Sequence, residues 1–205
     1  MGDIGEHYRD VRAAKKQRAQ RRTKTQPPAP KRRCYDWMVV SGNTHYAKNR
    51  SSFTTYRRVR RSIPGSITGE TFVAGIGTVE LKVRTRRDDP ESPDGTLVLE
   101  NVLHIPSAIC NGMALELWAA DFGASTDNSR EGWDAWDRQN RPVWYGERFH
   151  GGCKLALAGN PQGESYLGDG LHMLSIYVPK DFLDEVQEEK QTKEETRRVK
   201  RVKRS

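Results

Sequence analysis

A serine and a histidine four residues apart, Ser41 and His45, lie just beyond an apolar run, Trp37-Met38-Val39-Val40. Serine beside histidine suggests acyl transfer: the imidazole takes the hydroxyl proton and the oxygen attacks a carbonyl. That chemistry also needs an acid to orient the imidazole and donors to hold the oxyanion. No acid occurs between Val39 and Arg50, and the G-x-S-x-G elbow is absent. Ser41 and Thr44 are better suited to satisfying turn backbone, and His45 to packing or hydrogen bonding beside it. Gly75-Ile76-Gly77 lacks the third glycine and following helix of a dinucleotide loop. His104, His150 and His172 are scattered. Cys34, Cys110 and Cys153 show neither C-x-x-C nor zinc spacing. No metal and no cofactor is therefore expected, and the cysteines read as free thiols of a reducing compartment.

Charge is the other source of chemistry, and it is unevenly placed. Residues 1–33 hold eleven Lys/Arg against three acids, and residues 185–205 hold eight against five. The net charge of +8 thus belongs to the ends, and the body between them is mildly acidic. Lys15, Lys16, Arg21, Arg22, Lys31, Arg32 and Arg33 precede the body; Arg197, Arg198, Lys200, Arg201, Lys203 and Arg204 follow it. Such runs suit nuclear import or contact with a phosphate backbone without base readout. Trp118, Trp133, Trp136, Trp144 and Tyr145 would offer stacking surfaces for single strands. Their neighbours Asp121, Glu131, Asp134 and Asp137 would repel phosphate, so core roles are expected. The Arg57-Arg58-Val59-Arg60-Arg61 run reads as a solvated loop.

These residues need elements to place them. Residues 6–22 contain helix formers but almost no apolar stripe, and Gln26-Pro27-Pro28-Ala29-Pro30 breaks the chain. A basic helical or disordered arm over 1–33 is expected. Strand signals then dominate. Thr78-Val79-Glu80-Leu81-Lys82-Val83-Arg84 alternates, with Val79, Leu81 and Val83 on one face. Residues 88–95 read as a loop and 96–105 as the next strand. Further strands are expected at 113–118, 135–137, 142–145, 153–158 and 171–178. Residues 180–205 read as a charged helix or tail, with Phe182, Leu183 and Val186 packing its first turns onto the body. No apolar run reaches the roughly 20 residues of a membrane-spanning helix, and no signal peptide is evident. A nuclear or cytoplasmic, non-secreted protein is expected.

Taken in order, the segments form a pattern. W-x-x-x-S-G-x-x-H runs from Trp37 to His45, followed by Phe53 and Tyr56 as F-x-x-Y. V-A-G-I-G-T-V-E-L (residues 73–81) and L-x-L-x-N-V-L-H-I-P (residues 97–106) come next, and Asn111 closes the set. This resembles the protease region of Copia-type retrotransposon polyproteins. It is also similar to stand-alone fungal proteins carrying the same barrel. The resemblance implies a retropepsin-like closed barrel over 34–118, with extra strands over 119–179. It implies that Gly75, Ile76 and Gly77 form the tip of a flap hairpin. It also implies two aspartates meeting across a dimer axis, sharing one proton and activating water. Aligned on Ser41-Gly42, the aspartate position is Val40; aligned on His45, it is Val39. Either way Val39, Val40, Ser41 and Gly42 form a turn that has lost its acid. The nearest acid, Asp36, precedes the apolar run.

The expectation is a non-enzymatic, mainly β domain that acts by binding protein, as a homodimer or on an extended peptide. The alternative is nonspecific nucleic-acid association through the basic ends. An active hydrolase is the least favoured reading.

Overall fold

The computed structural model describes residues 32–64, 69–123, 125–170 and 172–186. The described residues from Arg33 to Val186 belong to one compact unit. It is mainly β. Ten strands join in a single mixed sheet: β1 (Trp37–Val40), β2 (Tyr46–Ala47), β3 (Arg57–Pro64), β4 (Glu70–Val83), β5 (Gly95–His104), β6 (Asn111–Ala114), β7 (Ser125–Asn128), β8 (Gly132–Trp136), β9 (Pro142–Phe149) and β10 (Gly152–Leu155). The strand order is β3-β4-β5-β2-β6-β1-β10-β9-β8-β7.

The expected closed barrel is corrected: the sheet is open, with β3 and β7 at its ends. It nevertheless bends back on itself. Beyond β4, Arg84 N donates to Ala156 O at 2.8 Å, and Ala158 N donates to Lys82 O at 2.9 Å. A lone bridge, Val83 to Leu157, joins the two segments. One bridge is not a ladder, so the strands between remain a curled sheet with two edges.

Period-two alternation explains the core. In β4 and β5, Val79, Leu81, Val83, Leu97 and Leu99 are buried, whereas Glu80, Lys82, Val98 and Glu100 face solvent. The antiparallel register sets Val79 against Leu99 and Leu81 against Leu97. In β1 the same alternation feeds two clusters. Trp37 and Val39 join one with Val79, Leu81 and Trp144. Met38 and Val40 join the other with Tyr46, Ile63 and Val73.

Two expected strands take other forms. Over 113–118, β6 ends at Ala114 and a helix, α1 (Leu115–Phe122), follows. Leu115, Trp118 and Ala119 fall on one helical face and pack into the first cluster. Gly123, at φ 57°, ends the helix in the left-handed conformation that costs glycine nothing. Residues 172–178 belong to no strand of the sheet. Residues 180–186 are helical, and Phe182, Leu183 and Val186 pack into the second cluster as expected.

Candidate functional site

β1 pairs in parallel with β6 from Trp37–Asn111 to Val40–Ala114, and on its other side meets β10 at Met38–Lys154. It sits inside the sheet and delivers its end, the Val39–Gly42 turn, to the surface. A cleft of about 370 Å³ opens there, walled mainly by Met38, Val39, Val40, Leu115, Trp133 and Leu174. Val40 is buried and Val39 half-buried, and both line it. Neither side chain can hold a proton or a water. Asp36 lies at the opposite end of the strand, about 13 Å away at roughly 3.3 Å per residue. There it is almost buried and faces Lys154 Nζ at 3.5 Å.

The turn is held by residues far along the chain. Ser41 N donates to Ser175 Oγ at 3.2 Å, and the two hydroxyls stand 2.9 Å apart. Tyr177 OH donates to Ser41 O at 2.9 Å. The Asn43 amide grips the main chain of Val178 from both sides, donating to its carbonyl at 2.9 Å and accepting its N–H at 2.8 Å. Tyr46 OH donates to Leu174 O at 2.7 Å. A Cβ on Gly42 would stand 2.3 Å from Ile176 O. The glycine of the S-G turn is therefore needed here for the close passage of residues 172–178.

The serine–histidine pair does not meet. His45 is buried, and its Nδ1 accepts the Ala114 N–H at 3.0 Å. Desolvation pushes its pKa down to about 4, so the ring is neutral at pH 7. Ser41, Glu116 and His172 share the cleft. However, the Ser41 hydroxyl is engaged with Ser175, and His172 Nε2 donates to Gly168 O at 3.1 Å. The arrangement supplies no oriented base for a nucleophile.

The flap expectation is corrected. Gly75, Ile76 and Gly77 lie in the middle of β4, all three paired with β5 and the first two also with β3. Residues 65–68, between β3 and β4, lie outside the described residues. The glycines serve a crossing: a Cβ on Gly75 would lie 2.4 Å from Tyr56 Cζ, and one on Gly77 would lie 2.0 Å from Thr55 O. The F-x-x-Y element thus passes over the G-x-G. Tyr56 OH bonds His104 Nδ1 at 2.8 Å, and Phe53, Tyr56 and His104 form an edge-to-face cluster.

Asn111 is fully buried and explains its place in the pattern. Its Oδ1 accepts Lys48 N at 2.9 Å, and its Nδ2 reaches Cys34 O at 3.1 Å and Asp36 O at 3.2 Å. It clasps the start of β1 to the end of β2.

Of the basic candidates, Lys15, Lys16, Arg21, Arg22, Lys31, Arg197, Arg198, Lys200, Arg201, Lys203 and Arg204 lie outside the described residues. Arg32 is exposed; the Arg33 guanidinium lies over the Tyr35 ring at 4.9 Å. The expected arginine loop is β3, and two of its members hold the helical residues 180–186. Arg57 donates to Val186 O, and Arg61 pairs with Glu185 at 2.7 Å. Trp118 and Trp144 are buried and packed edge to face at 5.2 Å, so they present no stacking platform. Cys34, Cys110 and Cys153 are buried free thiols, and burial pushes Cys110 up to about 12. Among the described residues, no group of His, Cys, Asp and Glu is placed to hold a metal, and no helix is long and apolar enough to cross a membrane.

Sequence reasoning missed the contact between residues 172–178 and the turn. The alternation of Leu174, Ile176 and Val178 with Ser175 and Tyr177 signals an extended segment, but nothing in it names a partner.

The fold defines a mainly β protein built on one open, ten-stranded mixed sheet. No family model, curated protein or solved structure matches the chain.

Proposed function

We propose that this chain is a retropepsin-like, retrotransposon-derived domain that has lost its acid chemistry and acts by binding protein. The observation that carries the reading is the turn itself. Where two carboxylates would share a proton, Val39 and Val40 line an apolar cleft. Beside it, Asn43 hydrogen bonds to the main chain of Val178, and Ser41 to the hydroxyls of Ser175 and Tyr177. A cleft for an apolar side chain next to main-chain donors and acceptors suits an extended peptide.

The placement of the sequence pattern supports the same reading. Residues 75–81 and 97–104 of those segments lie side by side in β4 and β5. Phe53 and Tyr56 pack on His104, and Asn111 clasps β1. The test is incubation with a diverse library of extended peptides. Capture of apolar sequences without cleavage is the expected result; pepstatin-sensitive cleavage would sink the reading.

A second reading rests on the concentration of positive charge in residues 1–33 and 185–205. There, binding to mixed-sequence DNA or RNA would weaken steeply with salt. Removing residues 1–33 and 190–205 would abolish it.

A further inference from the structure

We propose that residues 172–178 are an intramolecular strap, occupying in cis the site that the Val39–Gly42 turn offers to an extended protein segment. The inference rests on the protein-binding reading and adds its regulation. Five residues hold the strap to the turn region through side-chain hydrogen bonds: Ser41, Asn43, Tyr46, Ser175 and Tyr177. None of these is a rung of the sheet. A segment held by half-exposed side-chain bonds and no backbone ladder opens at lower free energy than a strand of the sheet. Met173 and Tyr177 are largely exposed at 73% and 57%, while Leu174 and Ile176 pack half-buried against the second cluster and Val178 is buried in it, so a displacing segment must supply apolar side chains at the same alternate positions. Leu174, Ser175 and His172 form one wall of the cleft, and displacing them opens it.

Both ends of the strap are fixed, which makes it a closure and not a tail. On one side, Leu167 is buried in the second cluster shortly before the strap begins. On the other, Val178 is buried and the helical residues that follow are docked on β3 by Arg61–Glu185 and by Phe182, Leu183 and Val186. The recognition is for main chain: Asn43 takes both polar groups of Val178, and Tyr46 takes the Leu174 carbonyl. Another segment of alternating apolar residues would satisfy the same groups once the strap had left.

Two variants of the full chain test this with one probe, a fluorescein-labelled peptide of residues 172–178. Ser41→Cys/Ser175→Cys replaces two hydroxyls 2.9 Å apart and locks the strap on oxidation; the three native thiols are buried. Ser175→Ala/Tyr177→Phe removes anchors from the strap alone and leaves Asn43 and Tyr46 to receive the probe. The locked form is expected not to bind, and reduction is expected to restore binding. The loosened form is expected to bind about tenfold more tightly than wild type, because a closed strap lowers apparent affinity by the fraction open. Equal binding by locked and loosened forms overturns the strap, as does binding by no form. A covalent dimer on oxidation of the cysteine pair would place the strap on a second copy and overturn the intramolecular assignment. The underlying reading is judged separately, by whether the loosened form captures any member of the extended-peptide library.

Discussion

The two ends of β1 are built on opposite principles. At its start, Asp36 and Asn111 are buried polar groups, and Asn111 is saturated by main-chain partners close in the fold. At its end, Val39 and Val40 are apolar, and the hydrogen bonding comes from residues more than 130 positions away. The first end is a clasp whose removal strands buried donors and acceptors. The second is a lid contact, partly exposed, whose groups find water when it opens. One short strand thus ends in a buried polar clasp on one side and in an apolar, partly exposed contact on the other.

Asn111→Ala is the strongest way to break this comparison. It is expected to destabilise the fold by on the order of 3 kcal/mol, since it leaves a buried amide and two carbonyls short of partners. A shift in the denaturation midpoint at unchanged slope would measure it. A loss of under about 1 kcal/mol would mean that the clasp is not what fixes the start of β1.

The pH dependence comes next. The unfolded His45 imidazole takes up a proton near pH 6.5, whereas the folded one resists until about 4. The unfolded state therefore binds more protons in this window. Stability is full above pH 6.5 and falls as pH drops towards 4, by on the order of 3 kcal/mol at the bottom. His45→Gln should flatten that slope, as seen in melts from pH 7 to pH 4.

Gly42→Ala sharpens the contrast at the other end. Its Cβ would meet the Ile176 carbonyl, so the strap must shift. The expected cost is about 1–2 kcal/mol, with faster amide exchange at 174–178 and little change at the Asn111 clasp. Exchange that rises equally at both ends would show them to be one cooperative unit.

The smallest effect belongs to Arg61→Ala. Its pair with Glu185 is 39% and 61% exposed, and exposed pairs contribute about 0–1 kcal/mol. The loss should shrink further in high salt. It reports on the anchor of the strap without touching the turn.

Much of this was legible before any coordinate. The alternation Val79-Leu81-Val83 marked the buried face of β4, and Leu97 and Leu99 that of β5, because strand side chains alternate whatever the neighbours are. The absence of an acid at Val39 or Val40 was readable from residue identity alone, since no fold can give valine a proton. Asn111 was visible only as a member of a pattern; its clasp depends on three main-chain groups that separate segments bring to it. The α1 helix had a readable signal in Leu115, Trp118, Ala119 and the Gly123 cap, but the apolar run from Met113 masked it. Gly75-Ile76-Gly77 was expected as a hairpin tip and lies in mid-strand, where Tyr56 and Thr55 cross it. A glycine permits crowding without saying whether a turn or a crossing strand causes it.

By itself the sequence determined what is local and chemical: which faces are apolar, where charge lies, and that the S-G turn has no carboxylate. Only the tertiary structure decided that the sheet stays open, that Tyr56 crosses Gly75, and that residues 172–178 lie on the Ser41–Asn43 turn. Those contacts join segments far apart in the chain. Their partners are chosen by packing and by the need to satisfy buried polar groups, and no short stretch of residues encodes that choice.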